Sequence, residues 1–351
     1  MDTKVLKLDR DTFTDADLEE AGRIIRSGGL VAFPTETVYG LGGNALDPLG
    51  SGKIYAAKGR PSDNPLIAHI ADMDGLYEIA ENVSDKAIAI AEKFWPGPIT
   101  IVFNKKEIVP KKTTGGLDTV AVRMPSDKIA NALIRVAGVP IAAPSANISG
   151  KPSPTKAEHC IEDLNGKIEM IIDGGAVNIG VESTIVDATG DVITLLRPGA
   201  ITVEMLKEVV GEVAIDPAIL GPVAEGVKPK APGMKYKHYA PKADLTIVTG
   251  DNEAVVARII ELVSNENESC GIITTEENEQ RFADVLDKTG RKALIKIIGT
   301  REDEATVRHN LFAVLRDYDE TDVKRIYSEG FADMAIMNRL SKAAGYSIME
   351  V

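Results

Sequence analysis

The chain has 351 residues, more than a single hydrophobic core usually organises, so its length favours two domains. Its formal net charge of −13 argues against a general nucleic-acid coat protein, which would carry a basic surplus, but leaves room for a local basic cleft. No apolar run approaches the roughly 18 residues of a membrane span, and residues 1–17 lack the apolar core of a signal peptide. Cys160 and Cys270 match no metal or redox spacing, so we expect reduced thiols in a soluble cytoplasmic protein.

Helices and strands are mixed over residues 1–215. Helices are predicted over residues 14–27, 49–58, 73–81, 84–94 and 202–210, and a capping box at Thr155 and Glu158 predicts the start of a short one. Strands are predicted at residues 30–33, 66–70, 99–103, 119–123, 141–143, 170–172, 184–187 and 193–196. Because the order does not alternate strictly, we expect an α/β sheet with both parallel and antiparallel neighbours.

Residues 216–243 have a different composition, with five prolines and a run of lysines that contains no acidic residue from 228 to 242. Composition alone favours a plain, semi-rigid linker. However, aromatic and basic side chains are packed into Met234–Tyr239, which is unusual for a passive spacer. A linker and a basic lid over a neighbouring site are both compatible with this segment.

Strands and helices alternate regularly over residues 244–351. The predicted strands are 245–248, 271–273, 294–297 and 325–327, and each precedes a predicted helix, at 253–263, 276–286, 302–318 and 334–344. This alternation predicts a smaller, parallel, Rossmann-like domain. No phosphate-binding loop occurs in it.

The most informative stretch is Pro34–Gly42, followed one helix later by Lys58–Pro65. Hydroxyls and a glycine-rich turn come first and two cations follow, which is typical of a pocket for a phosphate-bearing ligand, although neither the P-loop nor the dinucleotide fingerprint is present. Lys58 supplies a point charge and Arg60 a planar fork, and in an extended segment Ser62 and Asn64 would line the same wall. A solvated basic turn is the ordinary alternative.

Further polar groups stand at predicted strand ends. His69 lies in an apolar strand, where a packed core histidine is the commoner role, while Arg123 and Arg197 each end a strand. Together with Arg60 they suggest a local anion site, in which Arg123 could bind a carboxylate through two hydrogen bonds. The loop 143–153 offers neutral hydrogen-bonding groups suited to a nucleotide. No Ser-His-Asp or Cys-His arrangement is evident, so a covalent mechanism is the weaker interpretation.

These residues carry a resemblance to the threonylcarbamoyl-AMP synthase family in its long, two-domain form. The family's K-x-R pair stands as Lys58 and Arg60, and its S-x-N pair as Ser145 and Asn147. The segments Pro34–Gly42, Glu182–Asp187, Leu196–Gly199 and Pro232–Pro241 also resemble the family's. The resemblance implies a twisted, mixed-sheet YrdC-like domain with a basic cavity at residues 1–215, a linker and probable lid at 216–243, and the Rossmann-like domain at 244–351.

The resemblance also implies an activity: L-threonine, bicarbonate or CO2, and ATP with Mg2+ would give threonylcarbamoyl-AMP and pyrophosphate. This product would feed the machinery that threonylcarbamoylates tRNA, and direct contact with tRNA is compatible with the same cavity. Lys58 and Arg60 would be catalytic. Threonine would be held by Thr37, His69, Arg123 and Ser183. The nucleotide would be held by Arg60, Asn64, Thr119, Ala143, Ser145, Asn147, Ser153, Arg197, Tyr236 and Tyr239.

Two other functions are compatible with a YrdC-like domain. An RNA-binding protein could use the basic cavity without catalysis, although the paired K-x-R and S-x-N motifs and the negative net charge favour an enzyme. Hydrogenase-maturation carbamoyltransferases adenylate a carbamate without threonine, but they carry cysteine pairs that this chain, with two cysteines, lacks.

Overall fold

A computed structural model of the chain describes residues 2–219, 221, 229–232 and 239–351. By contacts between residues it divides into two compact units, one made of Met1–Ser149 with Ser153–Tyr236 and the other of Gly150–Pro152 with Lys237–Val351. No helix in the described ranges is both long and apolar enough to cross a membrane. Cys160 and Cys270 are both buried and free.

The first unit is built on a mixed sheet of twelve strands. The strands are β1 (Lys4–Lys7), β2 (Val31–Phe33), β3 (Gly40–Asn44), β4 (Ile67–His69), β5 (Ala80–Glu81), β6 (Ile99–Lys105), β7 (Thr119–Arg123), β8 (Ile141–Ala142), β9 (Met170–Asp173), β10 (Thr184–Asp187), β11 (Ile193–Arg197) and β12 (Val213–Ile215). Their order is β1-β9-β2-β3-β8-β4-β7-β6-β10-β11-β12, and β5 pairs with β6. Pairs such as β4–β7 are parallel and pairs such as β6–β7 antiparallel, which confirms the predicted mixed sheet.

The helices of this unit cover the sheet. They are α1 (Glu19–Arg26), α2 (Pro48–Lys58), α3 (Met73–Ile79), α4 (Asp85–Phe94), α5 (Lys128–Ala137), α6 (Ala157–Leu164) and α7 (Val203–Val210). Asp47 and Asp127 cap α2 and α5 with their carboxylates, as expected for residues that satisfy free N–H groups of a first turn. The predicted capping box at Thr155 is wrong, because Lys156 is the residue at the N-cap of α6 and no side chain caps it.

Strand β3 was predicted as part of a glycine-rich turn, and it is instead a central strand. A Cβ atom at Gly42 would lie 2.8 Å from both Ile141 Cγ2 and Phe33 Cε1. The glycines are therefore required by close packing across neighbouring strands rather than by a turn. Periodicity cannot reveal such a strand, because glycine carries no side chain to alternate.

The second unit has a five-stranded sheet in which every pair is parallel. Its strands are β13 (Asp244–Thr249), β14 (Cys270–Thr275), β15 (Ala293–Gly299), β16 (Arg325–Glu329) and β17 (Ile348–Glu350), in the order β15-β14-β16-β13-β17. Its helices are α8 (Asn252–Asn265), α9 (Glu276–Thr289), α10 (Glu304–Asp319) and α11 (Met334–Ala343). The predicted Rossmann-like alternation is confirmed, and β17 is an additional edge strand that the sequence analysis missed.

Candidate active site

Strand register gathers several of the predicted site residues on one face of the first sheet. His69 on β4 is the partner of Arg123 on β7, and Arg123 is the partner of Thr100 on β6. Thr100 pairs with Ile185 on β10, which pairs with Arg197 on β11. Directly opposed residues lie on the same face of a sheet. These five residues therefore form one row across five strands, which is roughly 19 Å long at about 4.8 Å between neighbouring strands.

A β-bulge brings Arg197 into this row. The register of β10 and β11 shifts between Ile185 and Val186, so that Val186 faces Leu195 while Ile185 faces Arg197. Leu195 packs into the large core on the opposite face, and regular alternation along β11 would place Arg197, two residues later, on that face too. The bulge therefore turns a charged side chain from the core towards the site.

Arg123 is the centre of the predicted threonine site. It is only 4 % exposed, its Nη1 donates to Thr37 Oγ1 at 2.8 Å, and its Nη2 lies 2.8 Å from Glu36 Oε1. Nε and Nη2 nevertheless lack a well-aligned hydrogen bond among the described residues. A buried guanidinium with unused N–H groups is prepared to bind a carboxylate, since such groups are costly to leave unpaired.

His69 is held as a neutral imidazole. Its Nδ1 lies 3.1 Å from Ile67 O and 3.2 Å from Ile141 O. Because both neighbours are carbonyl oxygens, which only accept hydrogen bonds, Nδ1 must carry the proton and Nε2 the lone pair. Burial, and then the nearby charge of Arg123, lower the pKa of His69 to about 3. The ring can therefore accept a hydrogen bond from a ligand hydroxyl or amine at any ordinary pH.

Ser183 joins the hydroxyl groups of the site to Arg197. Its Oγ lies 2.8 Å from Thr100 Oγ1 and accepts from Arg197 Nη2 at 3.2 Å, while its carbonyl oxygen accepts from Arg197 Nε at 3.0 Å. The remaining Nη1 of Arg197 donates to Pro232 O at 3.3 Å. The linker residue Ala231 is fully buried in an apolar cluster with Ile67 on this same sheet face. Residues 229–232 thus lie over the site face of the first unit.

Lys58 reaches the S-x-N loop. Its ammonium donates to Ser145 O at 2.5 Å, to Asn147 O, and to Asn147 Oδ1 at 3.3 Å. The backbone N–H of Ser149 in turn donates to Lys58 O at 2.8 Å. The two motifs are therefore in direct contact. Lys58 is 2 % exposed, and its ammonium group holds the S-x-N loop in place. Whether Lys58 also neutralises phosphate charge stays a prediction.

The other nucleotide residues lie on neighbouring loops. Arg60 donates from Nη2 to Pro65 O at 3.2 Å, and Asn64 is 1 % exposed with no partner for its Oδ1 in the part of the chain that the structure describes. Ser153 donates to Glu182 Oε1 at 2.6 Å, in a buried contact. The side-chain roles of Arg60, Asn64 and Ser153 toward a nucleotide stay predictions.

The last four predicted residues are Thr119, Ala143, Tyr239 and Tyr236. Thr119 begins β7, four residues before Arg123, and Ala143 follows β8, where its N–H donates to Ile67 O at 2.8 Å. Tyr239 packs its ring on Phe312, with centroids 4.9 Å apart. Tyr236 lies outside the described residues.

Sequence reasoning assigned no role to Glu36, Glu182 or Thr100, although each contacts a predicted site residue. Glu36 and Glu182 stand inside segments already singled out, beside Thr37 and Ser183. A buried carboxylate next to a ligand-binding hydroxyl was the available signal.

Comparison with known proteins identifies the family of the chain. The family model Sua5_yciO_yrdC, described as "Telomere recombination", matches residues 23–199, and a model described as "Threonylcarbamoyl-AMP synthase, C-terminal domain" matches residues 201–345. The chain belongs to the threonylcarbamoyl-AMP synthase family. It is 47% identical over 349 residues to the threonylcarbamoyl-AMP synthase of Pyrococcus abyssi, covering 97% of this chain and 98% of that one. It is 45% identical over 337 residues to that of Bacillus subtilis, covering 94% of each.

Solved structures of the family agree with the fold. The crystal structure of P. abyssi Sua5 complexed with L-threonine has a TM-score of 0.92 at 45% identity and covers 99% of this chain and 100% of that one. A second P. abyssi structure, in which adjacent histidine and tyrosine residues are replaced by alanine, has a TM-score of 0.91 at 45% identity and covers 99% and 98%. The present chain contains one His-Tyr dipeptide, His238-Tyr239.

Proposed function

We propose that this chain catalyses the synthesis of threonylcarbamoyl-AMP and pyrophosphate from L-threonine, bicarbonate or CO2, and ATP, which makes it a nucleotidyltransferase. The product would serve the cytoplasmic machinery that threonylcarbamoylates tRNA. The observation that carries the proposal is the buried Arg123, which donates to Thr37 through Nη1, keeps Nε without a well-aligned partner among the described residues, and stands in register with the neutral His69. A carboxylate, a hydroxyl and an amine on one small molecule would satisfy these groups together.

The reaction needs positioning more than a protein nucleophile. The threonine amine, in its unprotonated form, adds to CO2 and loses a proton to form a carbamate, and a carbamate oxygen then attacks the α-phosphorus of ATP as pyrophosphate leaves. Arg123 would hold the threonine carboxylate, while His69 and Ser183 would take its polar groups. Arg60 and Arg197 would face phosphate charge as it develops, and Lys58 would keep Ser145 and Asn147 in place.

Mg2+ is proposed to enter with ATP. In the described ranges no group of three or more His, Cys, Asp or Glu side chains gathers as a metal cage. Mg2+ does not need one, because it commonly keeps waters and uses phosphate oxygens with one or two carboxylates. Glu182, hydrogen-bonded to Ser153, would be a protein carboxylate beside one of the predicted nucleotide residues. When bound, the ion would supply neutralisation of phosphate charge.

Threonine-dependent release of pyrophosphate from ATP tests the proposal. We expect the wild-type protein to require both threonine and bicarbonate, and valine to be turned over more slowly on the order of 10²-fold or more, because it leaves the partners of the hydroxyl unpaired. In Arg60→Ala the barrier should rise by about 2–4 kcal/mol, as for the loss of one preorganised donor. Pyrophosphate release that ignores threonine, or equal turnover of valine, would contradict the assignment.

The competing function is RNA binding without chemistry. It predicts retention of RNA by the wild-type protein together with no exchange of pyrophosphate into ATP. Exchange that depends on threonine and is lost in Arg60→Ala would decide in favour of the enzyme.

A further inference from the structure

Glu36 and Arg123 form a buried ion pair in which each partner keeps polar atoms without a well-aligned hydrogen bond among the described residues. Glu36 is 7 % and Arg123 4 % exposed, and Glu36 Oε1 lies 2.8 Å from Arg123 Nη2. Among residues 2–219, 221, 229–232 and 239–351, neither carboxylate oxygen of Glu36 accepts a well-aligned hydrogen bond, and neither Nε nor Nη2 of Arg123 donates one. The pair is thus close enough for strong attraction but is not arranged for mutual hydrogen bonding.

This arrangement is not the one expected of a structural pair. A guanidinium and a carboxylate that serve only stability usually form two parallel hydrogen bonds, which repay part of the cost of burying both charges. Here a single close N···O approach joins the two groups, and Nε of Arg123 and Oε2 of Glu36 have no well-aligned hydrogen bond among the described residues. Burial acts to raise the pKa of the Glu36 carboxyl, but the charge of Arg123 and nearby backbone N–H groups outweigh burial and lower it, so Glu36 is ionised.

The charges around the pair define the chemistry of a complementary ligand. A carboxylate on the ligand is a suitable partner for Arg123, and a cationic donor is a suitable partner for Glu36. The two protein charges are adjacent and sum to zero, so a ligand with adjacent opposite charges leaves the buried site neutral. An α-amino acid zwitterion carries its ammonium and carboxylate on one carbon atom.

We propose that Glu36 is a specificity-determining residue that binds the α-ammonium group of the amino-acid substrate while Arg123 binds its carboxylate. This inference rests on the proposed function and adds to it a requirement for the zwitterion. Glu36 would thereby exclude hydroxy acids that share the carboxylate and the hydroxyl of threonine but lack its nitrogen.

The alternative role of Glu36 is to orient Arg123 alone. In that case removal of its charge would weaken every carboxylate ligand by the same factor. Under the proposal, removal of its charge weakens threonine but not a des-amino analogue. The ratio between the two ligands therefore separates the roles.

The experiment measures equilibrium binding of L-threonine and of (3R)-3-hydroxybutanoate to the full chain by calorimetry. We expect the wild-type protein to prefer threonine, and Glu36→Gln to lose roughly 10- to 100-fold in threonine affinity, as for a hydrogen bond to a charged group. The affinity for 3-hydroxybutanoate should stay within about 3-fold, and Glu36→Asp should recover part of the preference. Asp127→Asn is the matched control, because Asp127 is also a buried partner of an arginine, Arg10 at 2.9 Å, and asparagine caps α5 equally well.

Several outcomes would overturn the inference. Equal losses for both ligands in Glu36→Gln would assign Glu36 to the orientation of Arg123, and unchanged threonine affinity would remove it from the site. If Glu36→Gln does not fold, the wild-type protein still decides, since equal affinity for threonine and 3-hydroxybutanoate contradicts a zwitterion requirement. Failure of the wild-type protein to bind threonine at all would instead contradict the proposed function itself.

Discussion

The environment of His69 couples one side chain to the stability of the first unit. Burial and the charge of Arg123 lower the pKa of its imidazole to about 3 in the folded protein, whereas an unfolded histidine titrates near its ordinary value of 6.5. Below pH 6.5 the unfolded chain therefore binds a proton that the folded chain does not. This contribution to stability is present in full above pH 6.5 and is lost as the pH falls from 6.5 towards 3.

We predict that His69→Gln removes this dependence. Relative to wild type, the free energy of unfolding of the variant should rise by about 1.4 kcal/mol for each pH unit below 6.5, the value for one proton. Urea unfolding followed by the fluorescence of Trp95, the chain's single tryptophan and a buried residue of the first unit, measures it between pH 7.5 and 4.5. His309→Gln, in the second unit, controls for loss of an imidazole elsewhere. A parallel pH dependence in wild type and His69→Gln would show that His69 titrates normally.

At the scale of elements, α2 and the S-x-N loop are joined through one ammonium group. Lys58, in the last turn of α2, donates to the carbonyl oxygens of Ser145 and Asn147 and to Asn147 Oδ1. Three buried or part-buried acceptors would lose this donor if the charge were removed, and a buried group left without a donor is costly. Lys58 therefore acts as a positioning residue for the loop, whatever further contact it makes.

We predict that Lys58→Met destabilises the first unit by about 2–4 kcal/mol and raises the KM for ATP more than it lowers kcat. Lys53→Met is the matched control on the same helix, since Lys53 is exposed and donates only to Gly28 O among the contacts of its side chain described here. Trp95 fluorescence and steady-state kinetics provide the two readouts. A Lys58→Met protein of wild-type stability that has lost only kcat would assign the ammonium to phosphate charge instead.

The glycines of β3 give a second test at this scale. In Gly42→Ala the new Cβ would meet Ile141 Cγ2 and Phe33 Cε1 at 2.8 Å, closer than real Cβ contacts. We predict a loss of about 1–3 kcal/mol in stability, the usual cost of overpacking. Gly52→Ala on α2 is the control, because its nearest neighbour is Lys112 Cε at 3.9 Å and alanine favours the helix. Equal stabilities of the two variants would mean that β3 can shift to admit a methyl group.

At the scale of the whole molecule, residues 216–243 link the two sheets and form the predicted lid. Residues 229–232 of this segment lie on the site face of the first unit, where Pro232 O accepts from Arg197 and Ala231 is buried. Residues 222–228 and 233–238, which include Tyr236 and His238, lie outside the described ranges, so the predicted lid stays a prediction. A labile carbamate needs protection from water, and a lid over the site would provide it.

We predict that ATP and threonine together slow limited proteolysis between Pro222 and Pro241, because a lid is a low-stability segment that its substrates order. A protein truncated after Gly221 should lose threonine-dependent release of pyrophosphate. Cleavage at a fixed site in the second unit, normalised to the intact chain, controls for inhibition of the protease. Unchanged cleavage with full activity of the truncated protein would reduce the segment to a tether.

The fold class, most of the helices and strands, and the motifs that carry the chemistry could be predicted from the amino-acid sequence. Apolar periodicity and local turn residues fix these features, since they depend on neighbours within a few positions. The parallel second sheet and β7, Thr119–Arg123, followed from such patterns. Glycine-rich β3 escaped them because glycine carries no side chain to alternate, and because its packing partner Ile141 is distant in the sequence.

The contacts among the site residues could be identified only in the folded protein. Strand register aligned His69 with Arg123, and a one-residue bulge turned Arg197 to the same face, neither of which can be read from local sequence because register depends on pairing between strands. Burial placed Glu36 beside Arg123 and gave Lys58 two carbonyl partners almost ninety residues away. The interaction between two charges depends on their distance and on the low dielectric of the protein interior. Both are set only when the chain folds.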